Sequence, residues 1–314
     1  MPLRLIGGRD STGPGSSRAG STGEGSTGSA PKQPTRVDEP AKPAPDPAPV
    51  IIVPRPAPTK AKRGTAIAPD QTIIGPHLTL HGNMRGGDDI VIRGLMHGNI
   101  RGRRVEIRRG ARVEGDIVAA EAIIAGAVRG NVEAQRIEIS RGGGVEGRLE
   151  NDGSCEISGE VEGDINSRDV TIRIGAQIHS VITADRARIA GTLSGVVEAA
   201  EIILEESSRV AGEIDSDGLV EISGHVQGMV RGKRINIREG ARVADNIYAE
   251  EITIAGTATG EMMAVSVAIA ATAHVDGQII HHQIEIAQGA VVKGSRPWRP
   301  KQYLQQRDRA GTGD

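Results

Sequence analysis

Between residues 92 and 165 the apolar positions fall into short alternating groups. Val105-Glu106-Ile107, Val113-Glu114-Gly115-Asp116-Ile117 and Ile124-Ala125-Gly126-Ala127-Val128 are followed by Ile137-Glu138-Ile139 and Val145-Glu146-Gly147-Arg148-Leu149, and then by Ile157-Ser158-Gly159-Glu160-Val161-Glu162-Gly163-Asp164-Ile165. An aliphatic every second residue is the mark of a strand with one face inward. Each alternating group ends after three to five residues at a Gly, Asn or Asp. The pattern therefore predicts short strands with regular bends.

The bends keep time. The Gly, or its replacement, before the closing aliphatic of each turn falls at Gly98, Gly115, Gly130, Gly147, Gly163, Ser180, Gly195, Gly212, Gly228, Asp245, Gly260, Gly277 and Gly294. Four turns make a unit of 65 residues, seen in the offsets of Ile92, Ile157 and Ile222 and of Gly94, Gly159 and Gly224. The register slips by one residue near His281 to Gln283. A turn of about sixteen residues is too short for helical repeats, whose units run to about 33. It suits a β-solenoid with three short faces per coil. About thirteen coils at ~4.8 Å each would give a rod on the order of 60 Å long. One coil cannot bury its own faces, so stacking supplies the core.

The chain outside the repeat has another character. Residues 1–70 are rich in Gly and Ser and then in Pro, with 13 of the chain's 16 prolines before residue 70. Such a composition cannot offset the entropy of ordering it, and a disordered leader is expected. Within it, Leu3, Leu5 and Ile6 beside Arg4 form a small apolar tip, a candidate membrane contact. Val50, Ile51, Ile52 and Val53 form an apolar patch between prolines, a candidate docking segment. Residues 71–294 form the repeat. Residues 295–314 are basic and carry the only Trp, Trp298, another candidate docking residue; most of this tail is expected to be disordered.

Composition narrows the core and the chemistry. There is no Phe, so Ile, Val, Leu and Ala must fill the interior, which favours a narrow core of uniform width. The single Cys155 excludes an internal disulfide framework and suits a reducing compartment. It aligns with Val220 and reads as a small core residue. The first residues contain no long apolar run, and no stretch reaches the ~20 apolar residues of a membrane span. A cytoplasmic protein, peripheral at most to a membrane, is expected.

The coil motif 113–117, its companion 157–165 and the proline-rich leader together resemble the bactofilins, a family of bacterial polymer-forming cytoskeletal proteins. The resemblance covers residues 73–294. It implies an all-β, right-handed parallel β-helix between disordered tails, end-to-end assembly without nucleotide, and a membrane contact through a short N-terminal segment. Here the β-helix runs to about twice the usual family length and reads as extended or internally duplicated. The Phe that family members often use at the polymer contact has no counterpart near the C-terminal coils.

No residue inside the repeat is singled out for catalysis. Hexapeptide acyltransferases build solenoids from strict sixes, near eighteen residues per coil, and steps of 15 to 17 do not divide that way. His97 and His225 fall in outward positions, and His281-His282 is expected in a loop at the slip. Gly142-Gly143-Gly144 lacks the Lys and Ser/Thr of a phosphate loop. Carboxylates recur coil after coil and read as a solvated face. Arg101, Arg103, Arg104, Arg108, Arg109 and Arg112 form a basic cluster, read first as a face balanced by Glu and second as a site for an acidic partner. Nucleic acid is disfavoured, because stacking aromatics are lacking. The expected protein is a scaffold, with neither enzyme activity nor cofactor, that polymerises through the unpaired edges of its terminal coils: Ile73, Ile74, Leu78 and Leu80 at one end, Ile284, Ile286, Val291 and Val292 at the other. Its partners would be itself, the inner-membrane surface, and cell-envelope or polarity proteins. The alternative is a monomeric rod that recruits partners through the Pro-rich tail. At the C-terminal end the alternative is that Trp298 and Tyr303 fold back as a cap, leaving polymerisation to the other end.

Overall fold

The structure, a computed structural model, describes residues 71–304. Within them 25 strands form one continuous set of parallel ladders, each strand pairing with the strands one coil before and after it. The chain is an all-β solenoid of about thirteen coils. Each coil has three faces. On the first, Ile92, Ile107, Ile124, Ile139 and Ile157 stack in register. The second carries Met96, Val113, Val128, Val145 and Val161. Ile100, Ile117, Val132, Leu149 and Ile165 occupy the third. All of these are buried, and together they form one aliphatic column along the axis. Stacking like on like suits β-branched side chains, whose restricted rotamers fit a pleated, buried surface. Cys155 takes its place in that column between Ile137 and Val170.

The uneven step has a structural cause at the corners. Successive first-face isoleucines from Ile92 to Ile157 are 15, 17, 15 and 18 residues apart. The corner between first and second faces alternates between a short form, such as Ala125-Gly126, and a long form, such as Arg108-Arg109-Gly110-Ala111. The long form closes with a bond from the Ala111 N–H to the Arg108 carbonyl at 2.9 Å, and Gly110 sits at φ 83°. The two extra residues separate 15 from 17. The eighteenth residue is a bulge between third and first faces, at Asn151-Asp152-Gly153 and again at Ser216-Asp217-Gly218, where the ladder shifts register. Two short corners, two long corners and one bulge make the 65-residue unit. The slip near His281 is now explained: that coil lacks the bulge residue, so Ala264 pairs with His281 and Ser266 with Gln283 without a shift.

The corner between second and third faces is where the recurring Gly lies. Gly82, Gly98, Gly115, Gly130, Gly147 and Gly163 have φ between 128° and 146°. Beside them runs a side-chain ladder. Asn83 Oδ1 accepts the Asn99 N–H at 2.9 Å, Asn99 Oδ1 that of Asp116 at 2.9 Å, Asp116 Oδ1 that of Asn131 at 3.0 Å, and Asn131 Oδ1 that of Arg148 at 3.1 Å. A short amide or carboxylate thus replaces the backbone partner that the bend removes. Where the next residue is Val181, Val196, Glu213, Glu261 or Gln278, the strand runs straight through the corner, as in Gln177–Ile189 and Thr192–Leu204. Ser180 lies in such a strand and escapes positive φ, whereas Asp245 takes φ 89°. The two replacements for Gly at this position of the repeat therefore differ: Asp245 takes a positive φ and Ser180 does not.

Candidate functional site

With an interior that is almost wholly aliphatic, the exceptional surfaces are the two ends. At the first, Gln71–Ile74 pairs on one side with Asp89–Ile92, Thr79–His81 with Leu95–His97, and Met84–Arg85 with the strand above. Among the described residues nothing lies on their other side. Ile74 is buried and Ile73 and Leu80 are half-buried, while Leu78 is 57% exposed. At the other end His274–Ile286 and Val291–Lys293 are the last strands of the first two faces. Ile284 and Val292 are half-buried against the core, and Ile286 and Val291 are 45% and 40% exposed. All eight residues read from the sequence as end residues do lie at the ends. On these faces the terminal strands pair one row of backbone donors and acceptors inward, and among the described residues nothing pairs with the outer row.

The third face ends differently. Residues 295–299 lie against its last strand: the Ile279 N–H donates to the Ser295 carbonyl at 2.9 Å, the His281 N–H to the Pro297 carbonyl at 3.2 Å, and the Arg299 N–H to the His281 carbonyl at 2.8 Å. One helical turn follows at 301–304 and buries Leu304. The tail covers one face of three. Trp298 remains 57% exposed, its ring 5.7 Å from that of His282. His281 lies in a strand and is buried, not in the loop expected from the sequence, because its backbone pairs with this added segment. Its Nδ1 has no hydrogen-bond partner, and burial pushes its pKa below the usual 6.5 despite backbone bonds from Arg296 and His282 that raise it. A fold-back of Trp298 and Tyr303 was open from the sequence, but its pairing with His281, a single bridge at Trp298, was not, since the prolines on either side of Trp298 suppress any strand signal.

The remaining candidates carry no reactive arrangement. Burial pushes the Cys155 thiol up to about 12, far from the thiolate that chemistry would need. His97 is not merely solvated: it stacks on His81 with centroids 4.7 Å apart, and its Nδ1 lies 2.9 Å from Glu114 Oε2. Among the described residues no group of three or more His, Cys, Asp and Glu is placed to hold a metal ion. In the basic cluster Arg103 pairs with Asp89 at 3.0 Å, Arg104 with Glu121 at 3.1 Å and Arg108 with Glu106 at 2.9 Å, so half of it is a balanced face. No helix among the described residues is long and apolar enough to cross a membrane. Leu3, Leu5 and Ile6, the patch Val50 to Val53, and the disorder expected of the leader and of residues after 304 all lie outside the described residues.

Comparison with known proteins agrees with this geometry. A family model described as "Bactofilin: Polymer-forming cytoskeletal" matches the chain three times, over residues 72–152, 139–220 and 202–296. The comparisons with curated proteins and with solved structures returned no match.

Proposed function

The chain belongs to the bactofilin family of polymer-forming cytoskeletal proteins, and on that premise we propose that it assembles end to end, coil on coil and without nucleotide, into filaments or patches that serve as a scaffold in the cytoplasm at the inner membrane. The observation that supports this reading is the pair of open ends. Joining two of them extends the parallel ladder by the same bonds that join coils within the chain, so no energy source is called for. Burial of the apolar rims adds to it: Leu78 and Leu80 at one end, Ile286, Val291 and Val292 at the other. The membrane part of the reading rests on Leu3, Leu5 and Ile6. A single short apolar tip binds a bilayer marginally, but a filament presents many copies of it. Envelope or polarity proteins would dock on the leader, at Val50, Ile51, Ile52 and Val53, or on Trp298.

The test is sedimentation and electron microscopy of purified protein. Ile286→Lys and Val292→Lys are each expected to shift the protein from the pellet to short soluble rods, with β circular dichroism unchanged. Unchanged pelleting with both substitutions removes that end from the mechanism, and Leu78→Lys then tests the other. Uniform short rods from the unmodified chain would favour the monomeric scaffold instead. Liposome pelleting with and without residues 1–8 tests the membrane contact.

A further inference from the structure

The corner between third and first faces is grooved along the axis. Its floor is a file of small side chains, Ala119, Ala134, Asn151, Ser167 and Ala184, one from each of five successive coils. At the coil spacing this file is about 19 Å long. The groove encloses about 690 Å³. Its rim is acidic. Glu133 and Glu150 are register partners, stacked one above the other, and Asp152 stands beside them. Like charges in direct register repel. Arg168 and Asp185 also line the groove, 4.0 Å from each other, which leaves the other three as its excess charge. Among the described residues no basic group lies within ion-pair distance of Glu133, Glu150 or Asp152, and the nearby Arg148 is engaged with Asp164 at 3.5 Å.

A second observation is independent of charge. Asn151, at the bulge, is 9% exposed, and both its Oδ1 and its Nδ2 lack a hydrogen-bond partner. A buried amide left unpaired on both sides is costly. The fold does not require it, because the chain contains its own control 65 residues on. There Ser216 replaces Asn151 and is satisfied, donating to the Ala200 carbonyl at 3.1 Å and accepting from the Gly218 N–H at 3.2 Å. The stacked pair Glu198 and Asp215 replaces Glu133 and Glu150, and Arg231, where the first copy has Asn166, neutralises Asp215 at 3.2 Å. One copy shows how the corner is closed. In the other, the counter-charge and the satisfying hydroxyl are both missing.

We infer that the groove of the first copy is a binding site for an extended, lysine- or arginine-bearing peptide segment of a partner protein. Glu133, Glu150 and Asp152 would take the cationic side chains and Asn151 would bond the peptide backbone through its amide, a group that both donates and accepts. About six extended residues span the floor. The site lies on the side of the rod, so it is independent of how the ends assemble.

The test is fluorescence anisotropy with the full chain and a labelled peptide of alternating lysine and alanine about six residues long, its glutamate counterpart serving as control. Saturable binding of the lysine peptide alone is expected. The double substitution Glu150→Gln with Asp152→Asn should weaken it about tenfold, and Asn151→Ser, which installs the second copy's solution and so preserves the fold, several-fold. Glu198→Gln should change it by less than about twofold. Equal weakening by Glu198→Gln would show a general field effect and overturn the inference. So would binding that survives the double substitution, an absence of saturable binding, or displacement of the peptide by spermidine or calcium at matched charge.

Discussion

The bends of this solenoid look alike in sequence but impose two different demands on a residue. Gly110 has φ 83° in a long corner, and a Cβ added there meets nothing within 4 Å. Gly195 has φ 147°, and its Cβ would run into the Ser180 carbonyl of the coil before. Gly110→Ala is therefore expected to cost only the left-handed backbone term, about 1 kcal/mol. Gly195→Ala carries that strain and a backbone collision, and should cost about 3 kcal/mol or more. Denaturant or thermal unfolding compares them, and equal losses would mean that the close approach of coils is unimportant. The positions of these glycines were legible, because they recur with the turn. Their reasons were not, because coil-to-coil distance leaves no trace in one strand's sequence. Asp245 shows the limit: the pattern groups it with Ser180, but it alone takes the positive φ. Cys155 was legible in full, since its alignment with Val220 already placed it in the aliphatic column.

At the scale of elements, the direction of the inward face and the period of the turn could be read from alternation, because burial on a single face forces period two; the number of strands could not, since some run straight through a corner. The alternation of corner forms was present in the step counts but had no meaning until the corners were seen. The side-chain ladder of Asn83, Asn99, Asp116 and Asn131 was written as a Gly followed by Asn or Asp, and only stacking shows that each serves the next coil. The pairing of the tail with His281 was hidden by its prolines, and with it the burial of His281. That burial has a pH consequence. The folded form holds His281 below its usual 6.5, so its contribution is full above 6.5 and declines as pH falls below it. Desolvation is the main cause; the charges of Arg296 and His282, the charged and titratable neighbours, add to it, while backbone bonds with the same two residues act against it. Acidification from about pH 7.5 to 5 should loosen residues 295–299 and shift Trp298 emission to the red, with the β signal of the coils unchanged. Substituting His281→Gln should abolish the shift. An unaltered titration in that variant would assign it elsewhere.

For the solenoid as a whole, the place of the ends was legible: the apolar residues nearest each end of the repeat lie at its rims. Their inequality was left open by the sequence, where Trp298 and Tyr303 offered a fold-back cap at one end only. The first end leaves three faces without a described neighbour, and the second leaves two, because residues 295–299 overlie the third. If assembly runs through apolar rims and ladder bonds, the sedimented fraction should hold or rise as salt goes from about 0.05 to 0.5 M, since screening weakens surface charge pairs and leaves burial intact. A collapse of pelleting over that range would point to charge-driven association. The many Arg–Glu pairs between coils, such as Arg173–Glu156 at 2.8 Å and Arg238–Glu221 at 2.8 Å, are exposed and worth well under about 1 kcal/mol each. They balance the flanks without deciding the assembly.

The bulge at Asn151 and again, four coils on, at Ser216 turns the chain into a ruler with coarse graduations. A rod of this design could be lengthened or cut coil by coil only by setting a short corner where its neighbours expect a long one, or by shearing the side-chain files at the bulge. Whole units of 65 residues, each about 19 Å of axis, leave every file continuous. Length is thus inherited in quanta, and each added quantum supplies a spare copy of every surface, free to diverge as the two grooves have done while the column beneath them stays the same.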